Sequence, residues 1–393
     1  MAPVKIGIGG QMYPPMKTAV EYCREVERQD WDFIQFADQL QSTHPTGMLP
    51  DPQTMSQAGA MGAYADCWFG SFEMMSAASV VTENIEIHLS AIDPLRRSPA
   101  VFAQEAATVS HLSSGRARFH IAQGEGKQFQ PYGEKQTKPL TRMMEAIRVM
   151  RALYETGNTP TSRDSEFWPL TNAVFPIPLY GGKQPPMFIV GGGPKVEDFT
   201  GEVGAGWSTF LPGGVANDVD ALAETINRIK ARADKHGRDP KELEFFAMVF
   251  VVIAENDDDA WRLARHPVPS WMTIAAASIN SAETWKQWGY EHPLGDFAWP
   301  KDASATTFPA DLANSLAEKI PDDVTDRSLV WGKPERVAAR CKPYVDAGIT
   351  HLSFWNYTAC ADPSTADVFL QLMSDVIAPL RGRPLNVKTT QHA

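Results

Sequence analysis

Residues 85–126 read IEIHLSAIDPLRRSPAVFAQEAATVSHLSSGRARFHIAQGEG and decide the fold. Apolar and polar side chains alternate over 85–90, Ser98-Pro99 begins a helix, and Gly115 ends that helix before a second alternating run. A strand, a helix and a strand in this order predict a parallel βαβ unit. Sites in parallel α/β folds are built at the carboxyl ends of the strands, so the residues that follow each strand are the first candidates for function.

The alternation of strand and helix continues along the chain. The segments that read as strands are 4–10, 32–37, 85–90, the run between 116 and 125, 187–190, 206–211, 243–254 and 351–355. These eight alternations predict a (β/α)8 TIM barrel of the α/β class, and we expect a single domain over residues 1–393. The stretch 156–186, rich in proline and glycine, is predicted to leave the barrel as a hairpin.

One segment interrupts this rhythm between the seventh and eighth strands. Residues 265–329 contain four tryptophans, and with Trp261 they hold five of the chain's eleven. Clustered tryptophans are more often core than site, but a cluster within an insertion indicates a lid or an apolar pocket wall. We therefore predict that residues 265–329 form such an insertion.

Composition and charge exclude several classes of function. The net charge of −11, with no basic run, argues against nucleic acid and against anionic membrane surfaces as partners. No apolar segment approaches the roughly 20 residues of a membrane span. The four cysteines form no CxxC pair and the nine histidines no HxH or HExxH, so neither a disulfide framework nor a metal site is predicted. A reducing cytoplasm is the expected location.

Gly191-Gly192-Gly193-Pro194 lies between a predicted strand and a predicted helix. The free N–H groups of such a turn and the helix N-terminus together form an anion site suited to a phosphate. The alternative is that the glycines only supply the backbone conformation of a tight turn. The phosphate interpretation is favoured because barrels often bind phosphate late in the strand order.

Two carboxylates, Asp38 and Glu125, follow the second and fourth predicted strands and should face the same mouth. A carboxyl group there can act as a general acid, and Glu125 is the first candidate for that role. Asp38 is a candidate for a catalytic or a cofactor-orienting contact. The alternative for either carboxylate is a helix cap or an ion pair with Arg96, Arg97 or Arg142. His292, in the insertion, is a further candidate, although an ordinary loop histidine would look the same.

An ordered series of motifs resembles a known superfamily. Its elements are Phe36-Ala37-Asp38, DPLRRSPAV (93–101), Gly115-Arg116, Gly124-Glu125, QPYG (130–133), TKP (137–139), FWPLTNA (167–173), GGGP (191–194) and EHPLG (291–295). Together they resemble the luciferase-like superfamily of flavin and deazaflavin oxidoreductases, and within it the F420-dependent phthiodiolone ketoreductase type. The resemblance covers nearly the whole chain.

This resemblance implies a cofactor and a chemistry. Coenzyme F420 would lie in the barrel mouth, with a non-proline cis bond at Ser90-Ala91 making a bulge, continued by Ile92, behind the deazaflavin ring. The residue pair Gly124-Glu125, Asp38 and the glycine turn at 191–194 would contact the cofactor. Reduced F420 would give a hydride to a ketone or another polarised double bond of a fairly apolar small molecule, while Glu125 supplies the proton. A homodimer is expected because relatives dimerise.

The chain departs from sugar-phosphate-oxidising relatives at two positions. They place histidine after the aspartate and tryptophan four residues further on, where this chain has Gln39 and Thr43. Glutamine cannot transfer a proton as histidine does, so the acid role rests more heavily on Glu125 or His292, and Gln39 is a candidate catalytic residue at the position of that histidine. Two alternatives stay open: a monooxygenase that uses reduced FMN, oxygen and a separate reductase, and a catalytically silent flavin-binding or structural barrel.

Overall fold

The strands of the protein follow the sequence prediction closely. They are seen in a computed structural model that describes residues 3–57, 67–214, 218–276 and 281–387. The strands are β1 (Lys5–Gly9), β2 (Phe33–Phe36), β3 (Glu86–Ile92), β4 (Ala117–Ile121), β5 (Thr161–Arg163), β6 (Leu170–Ala173), β7 (Met187–Val190), β8 (Gly206–Leu211), β9 (Glu244–Ile253), β10 (Val330–Gly332) and β11 (His351–Asn356).

Eight of these strands form a closed parallel barrel in the order β1, β2, β3, β4, β7, β8, β9 and β11, with β11 pairing back onto β1. The predicted (β/α)8 barrel is therefore confirmed. The pairing of β3 with β4 shifts register between Ser90 and Ile92, which places a bulge at the carboxyl end of β3. The predicted hairpin is also confirmed, since β5 pairs with β6 in an antiparallel sheet outside the barrel.

The helices cover the barrel and build its mouth. They are α1 (Met16–Arg28), α2 (Pro52–Gln57), α3 (Ser71–Val81), α4 (Pro99–Leu112), α5 (Pro139–Thr156), α6 (Pro194–Val203), α7 (Val219–Lys235), α8 (Asp257–Ala264), α9 (Pro267–Ala276), α10 (Ser281–Gln287), α11 (Trp299–Asp302), α12 (Ala310–Ala317), α13 (Asp322–Ser328), α14 (Pro334–Asp346), α15 (Thr358–Ala361) and α16 (Ala366–Arg381). Across the described ranges, none of them combines the length and the apolar character that a membrane span requires.

The segment 265–329 contains the helices α9 to α13, and the short strand β10 that follows it pairs with the end of β9. Sequence reasoning gave this segment no elements, because its helices are short and three of them, α9, α12 and α13, begin at or directly after a proline, which interrupts the periodic pattern. The long loop between β2 and α3 includes residues 58–66, which lie outside the described residues. Of the rest, α2 interrupts the loop with one short helix.

The closed end of the barrel holds a buried polar network. One carboxylate oxygen of Glu86 accepts hydrogen bonds from Nζ of Lys5 at 2.8 Å and from a guanidinium nitrogen of Arg118 at 2.9 Å. Its other oxygen lies 3.2 Å from Nε2 of His88 and 3.3 Å from Nε2 of His351. Glu86, His88 and His351 lie close enough together to hold a metal ion. However, the positive charges of Lys5 and Arg118 already neutralise the carboxylate and oppose the binding of a further cation.

The pKa values of two buried histidines indicate how the stability of the fold depends on pH. Burial lowers the pKa of His44 to about 3 and that of His88 to about 4. In the unfolded chain a histidine titrates near 6.5, so between those values the unfolded state binds more protons, and stability falls as the pH falls. Urea unfolding should therefore show the midpoint dropping from pH 7 to pH 4.5, and dropping less in the His44→Gln protein. An equal drop in both proteins would contradict the assignment to His44.

Candidate active site

A cavity of about 720 Å³ opens at the carboxyl ends of the barrel strands. Residues that follow β2, β3, β4, β7 and β8 line it, together with parts of α10 and α11 from the insertion. The predicted site residues found in its wall are Asp38, Gln39, Ser90, Ala91, Ile92, Gly124, Glu125, Gly191, Gly192 and Gly193. The barrel thus brings together predicted site residues from four separate parts of the chain.

The bulge at the end of β3 contains the non-proline cis bond between Ser90 and Ala91. Gln35, buried on β2, donates from Nε2 to the Ser90 carbonyl at 3.2 Å, and its Oε1 accepts from the indole of Trp355 at 2.9 Å. The bulge is therefore supported from inside the barrel by a glutamine that sequence reasoning missed. The available signal was a polar residue in the middle of an otherwise apolar strand.

Asp38 is the centre of a buried ion-pair cluster. It accepts from Arg96, from Arg97 at 2.9 Å and from the Ser71 hydroxyl at 2.7 Å. Arg96 also donates from Nε to Asp93 at 2.6 Å. The carboxylate is 6% exposed, so its oxygens are occupied by these donors rather than by solvent. The arrangement joins the loop after β2 to the loop after β3, and it is the ion pair with Arg96 and Arg97 that the sequence left open as the alternative for Asp38.

Glu125 extends from the loop after β4 and is held from two sides. Its Oε1 accepts from the indole nitrogen of Trp299 at 2.6 Å, and its Oε2 lies 3.1 Å from the ammonium of Lys127. About a quarter of the side chain stays exposed to the cavity. Gly126 lets α11 approach this loop, because a Cβ there would stand 3.0 Å from the Lys301 carbonyl. Glu125 is thus fixed at the cavity wall, where its Oε2 is buried beside the Lys127 ammonium.

The two remaining candidate catalytic residues differ in position. Gln39 lines the cavity, and its side-chain oxygen accepts from Gln128. His292 does not line that cavity: its Nε2 bonds the Ile274 carbonyl at 3.0 Å, its Nδ1 accepts from Leu294, and its ring stacks on a phenylalanine of the insertion. Burial also lowers the pKa of His292. The structure therefore places His292 in the packing of the insertion, away from Glu125.

The glycine turn forms the opposite part of the wall. Gly191 has φ +129° and Gly193 has φ +89°, conformations that side-chain-bearing residues rarely adopt. The indole of Trp207 donates to the Gly191 carbonyl at 2.7 Å and fixes the turn, and Pro194 is the first residue of α6. A Cβ on Gly193 would meet no atom within 4 Å, so open space adjoins this turn. The turn offers room and a helix N-terminus for a phosphate.

The rest of the wall divides into an apolar side and a polar side. Phe210 and Phe250, from β8 and β9, lie close together, and Phe210 also packs near Trp299 of the insertion. Glu283 and Gln287, from α10, also line the cavity. Sequence reasoning missed both α10 residues, and no motif marks them. This division gives the cavity an aromatic surface and a separate polar rim.

These residues fit a tricyclic cofactor that carries a phosphate. A cavity of about 720 Å³ is within the range of small-molecule sites. The cis bulge, the glycine turn and Glu125 border this one space, and each offers what such a group needs: a backbone wall, a phosphate cradle and a carboxylate. A barrel with this site has the architecture of a flavin or deazaflavin oxidoreductase.

The chain belongs to the luciferase-like monooxygenase family, whose sequence model matches residues 1–351. It is similar to a phthiodiolone/phenolphthiodiolone dimycocerosates ketoreductase of Mycobacterium tuberculosis, with 31% identity over 67% of this chain and 68% of the relative. It is also similar to an F420-dependent glucose-6-phosphate dehydrogenase of Amycolatopsis mediterranei, with 26% identity over 71% of this chain and 76% of the relative.

A solved structure shares the fold. It is an F420-dependent secondary alcohol dehydrogenase in complex with an F420-acetone adduct, and it aligns with a TM-score of 0.70 and 20% identity. The alignment covers 96% of this chain and 99% of that one. At this identity the likeness supports the fold, and the resemblance read from the motifs is confirmed at the level of the family.

Proposed function

We propose that the protein is an F420-dependent oxidoreductase that transfers a hydride between reduced deazaflavin and a carbonyl or other polarised double bond of a fairly apolar small molecule. The observation that carries this proposal is the grouping of the cis bulge, the glycine turn and Glu125 around one cavity. F420-dependent relatives and a ketoreductase among the similar proteins support the cofactor and the reaction type.

Each part of the wall has a role in this proposal. The bulge at Ser90-Ala91-Ile92 and the turn at 191–194 would hold the cofactor, which supplies the hydride when bound. Asp38, through its arginines, orients the loops that meet at the cofactor, and Gln39 is a polar contact beside it. Glu125 holds the proton that the substrate oxygen receives.

The substrate class rests on the aromatic side of the cavity. The rings of Phe210, Phe250 and Trp299 would cover the apolar part of a substrate, because aromatic side chains bury large apolar areas on binding. Gln39 and Thr43 stand where sugar-phosphate-oxidising relatives carry histidine and tryptophan, so glucose 6-phosphate is a poor candidate. The insertion 265–329 would act as the lid or pocket wall. A homodimer and a cytoplasmic location remain predictions.

The competing function is a monooxygenase with reduced FMN and oxygen, which the description of the matched family favours. Titration of the protein with F420 and with FMN, followed by cofactor fluorescence, separates the two. We expect saturable micromolar-range binding of F420 and none of FMN. The reverse pattern would overturn the proposed cofactor, and binding of neither would favour a catalytically silent barrel.

The glycine turn provides a further test of the cofactor site. Replacing Gly193 with Ala should weaken F420 binding by about tenfold, because the free turn would relax away from a positive φ that costs a residue with a Cβ roughly 1–3 kcal/mol, and binding would have to restore that conformation. Gly237→Ala is a matched control, since Gly237 also has positive φ (+74°) and open space around it but follows α7 outside the cavity. Equal F420 affinity in both variants would argue against the phosphate cradle.

A further inference from the structure

Lys127 is a buried lysine in direct contact with the candidate acid. Its side chain is 1% exposed, its ammonium lies 3.1 Å from Glu125 and also donates to the hydroxyl of Thr43. The ring of Trp299, which binds the other oxygen of Glu125, lies 5.8 Å from the same ammonium. A lysine is seldom buried without a partner, and here the partner is the group that would protonate the substrate.

A second cavity, of about 490 Å³, also adjoins α11. Lys301 lines both cavities, whereas Lys127 lines only the second one. The second cavity has a polar lining that includes Gln130, Asp296, Asp302, Ser304, Thr306 and Thr307. Lys127 therefore connects the two cavities, because its ammonium contacts Glu125 in the wall of the first while the residue itself lines the second. That space is large enough to hold several water molecules.

We propose that Lys127 supplies Glu125 with its proton and that the second cavity is the route by which this proton arrives. The inference rests on the proposed function, in which Glu125 protonates the substrate oxygen. Lys127 contacts neither substrate nor cofactor in this scheme, so it is a positioning residue that acts through Glu125. Substrate and proton then reach the carboxylate from opposite sides.

The proton balance of the step is simple. When the carbonyl carbon receives the hydride, the O–H bond of Glu125 breaks and the substrate oxygen keeps the proton. An N–H bond of the Lys127 ammonium then breaks, and its proton restores the acid form of Glu125. The neutral amine takes a proton from water in the second cavity. Transfer within the pair replaces two buried charges by two neutral groups, which lowers the cost of burial.

The charges around Lys127 agree with a lysine able to give up its proton. Burial lowers the pKa of Lys127, Glu125 acts in the opposite direction, and the positive charge of Arg96 adds to the lowering. His44 lies near enough for its own pKa to be lowered by the Lys127 charge. Beyond these groups, Asp296, Lys301 and Asp302 face the second cavity. Glu125 is thus the neighbour that keeps Lys127 protonated.

The decisive experiment compares Lys127→Met with Lys127→Arg. Arginine keeps the ion pair but does not release a proton at accessible pH, whereas methionine removes both functions. The measurement is the pH profile of steady-state oxidation of reduced F420 by cyclohexanone, in which Glu125 must regain its proton in every turnover. We expect the parent to stay active above pH 8 and both variants to lose activity at lower pH, with the basic limb displaced by about 2 units or more. Lys342→Met, at an exposed position on α14, should keep the parent profile.

Recovery of the parent profile in Lys127→Arg would overturn the proposal, because Lys127 would then act only through its charge. The parent profile in Lys127→Met would overturn it as well. F420 affinity, measured in each variant, should stay within about threefold of the parent if the fold and cofactor site are intact.

A second measurement needs no cofactor. The pKa of Lys127 can be followed by nuclear magnetic resonance of isotope-labelled lysine in the unloaded protein, with Lys127→Met identifying the signal. In Glu125→Gln that pKa should fall by about 1 unit or more, because the opposite charge is lost. An unchanged value would show that the two groups are not coupled and would overturn the proposal. Absence of F420-dependent turnover in the parent would instead refute the proposed function, so the two failures are distinguishable.

Discussion

Glu125→Gln is expected to lower the rate of hydride transfer to a ketone by about 10²–10⁴-fold, the usual contribution of a positioned general acid. The amide keeps the size of the side chain and can still accept from the indole of Trp299, which now bonds Oε1 at 2.6 Å. F420 affinity should therefore change little. The measurement is the single-turnover rate of reduced F420 oxidation together with the affinity of the same protein for F420.

Two further variants serve as the control and as the test of another proton donor. Glu202→Gln, at a surface ion pair with Arg148, should leave the rate unchanged. Glu283 is the other glutamate in the cavity wall, so Glu283→Gln tests the competing assignment. If Glu283→Gln loses the rate and Glu125→Gln keeps it, the proton donor is the α10 carboxylate and Glu125 is not the general acid.

The second large effect is expected at Asp38. Asp38→Ala removes the carboxylate that accepts from Arg96 and Arg97, whose side chains are only 12% and 24% exposed. Breaking a buried pair from one side leaves an uncompensated charge and costs about 3–5 kcal/mol. Arg96 keeps Asp93 and Arg97 keeps Glu105, at 3.5 Å, as remaining partners, so we expect a loss near the lower end of that range. Urea unfolding should show this decrease in the free energy of unfolding. F420 affinity should also fall, because the loops after β2 and β3 are no longer joined by Asp38.

A matched control is Asp346→Ala, which removes the carboxylate of an exposed ion pair with Lys342 on α14. Pairs of that kind contribute about 0–1 kcal/mol, so its unfolding curve should nearly overlay that of the parent. If the free energy of unfolding of Asp38→Ala falls by less than about 1 kcal/mol, water replaces the carboxylate in the ion-pair cluster. The cluster would then not be needed to hold the loops of the site in place.

The barrel could be predicted because its strands and helices are marked by residues that are neighbours in the sequence. Alternating side chains, a serine before Pro99 and a glycine after the last turn mark strand and helix wherever they occur. The same local signals led to the turn at 191–194 and to Asp38 and Glu125, since residues after parallel strands share one mouth. The insertion offered only a cluster of tryptophans, and its short helices could not be assigned from it.

The sequence by itself determined the eight-strand barrel and the set of polar residues at its mouth. Only the tertiary structure decided which of them meet. Trp299 reaches Glu125 from 174 residues away, Arg96 reaches Asp38 from 58 residues away, and His292 turns into the insertion instead. Helix and strand patterns are set by neighbours within a few residues, whereas these contacts depend on how distant loops pack, and no local pattern records that packing.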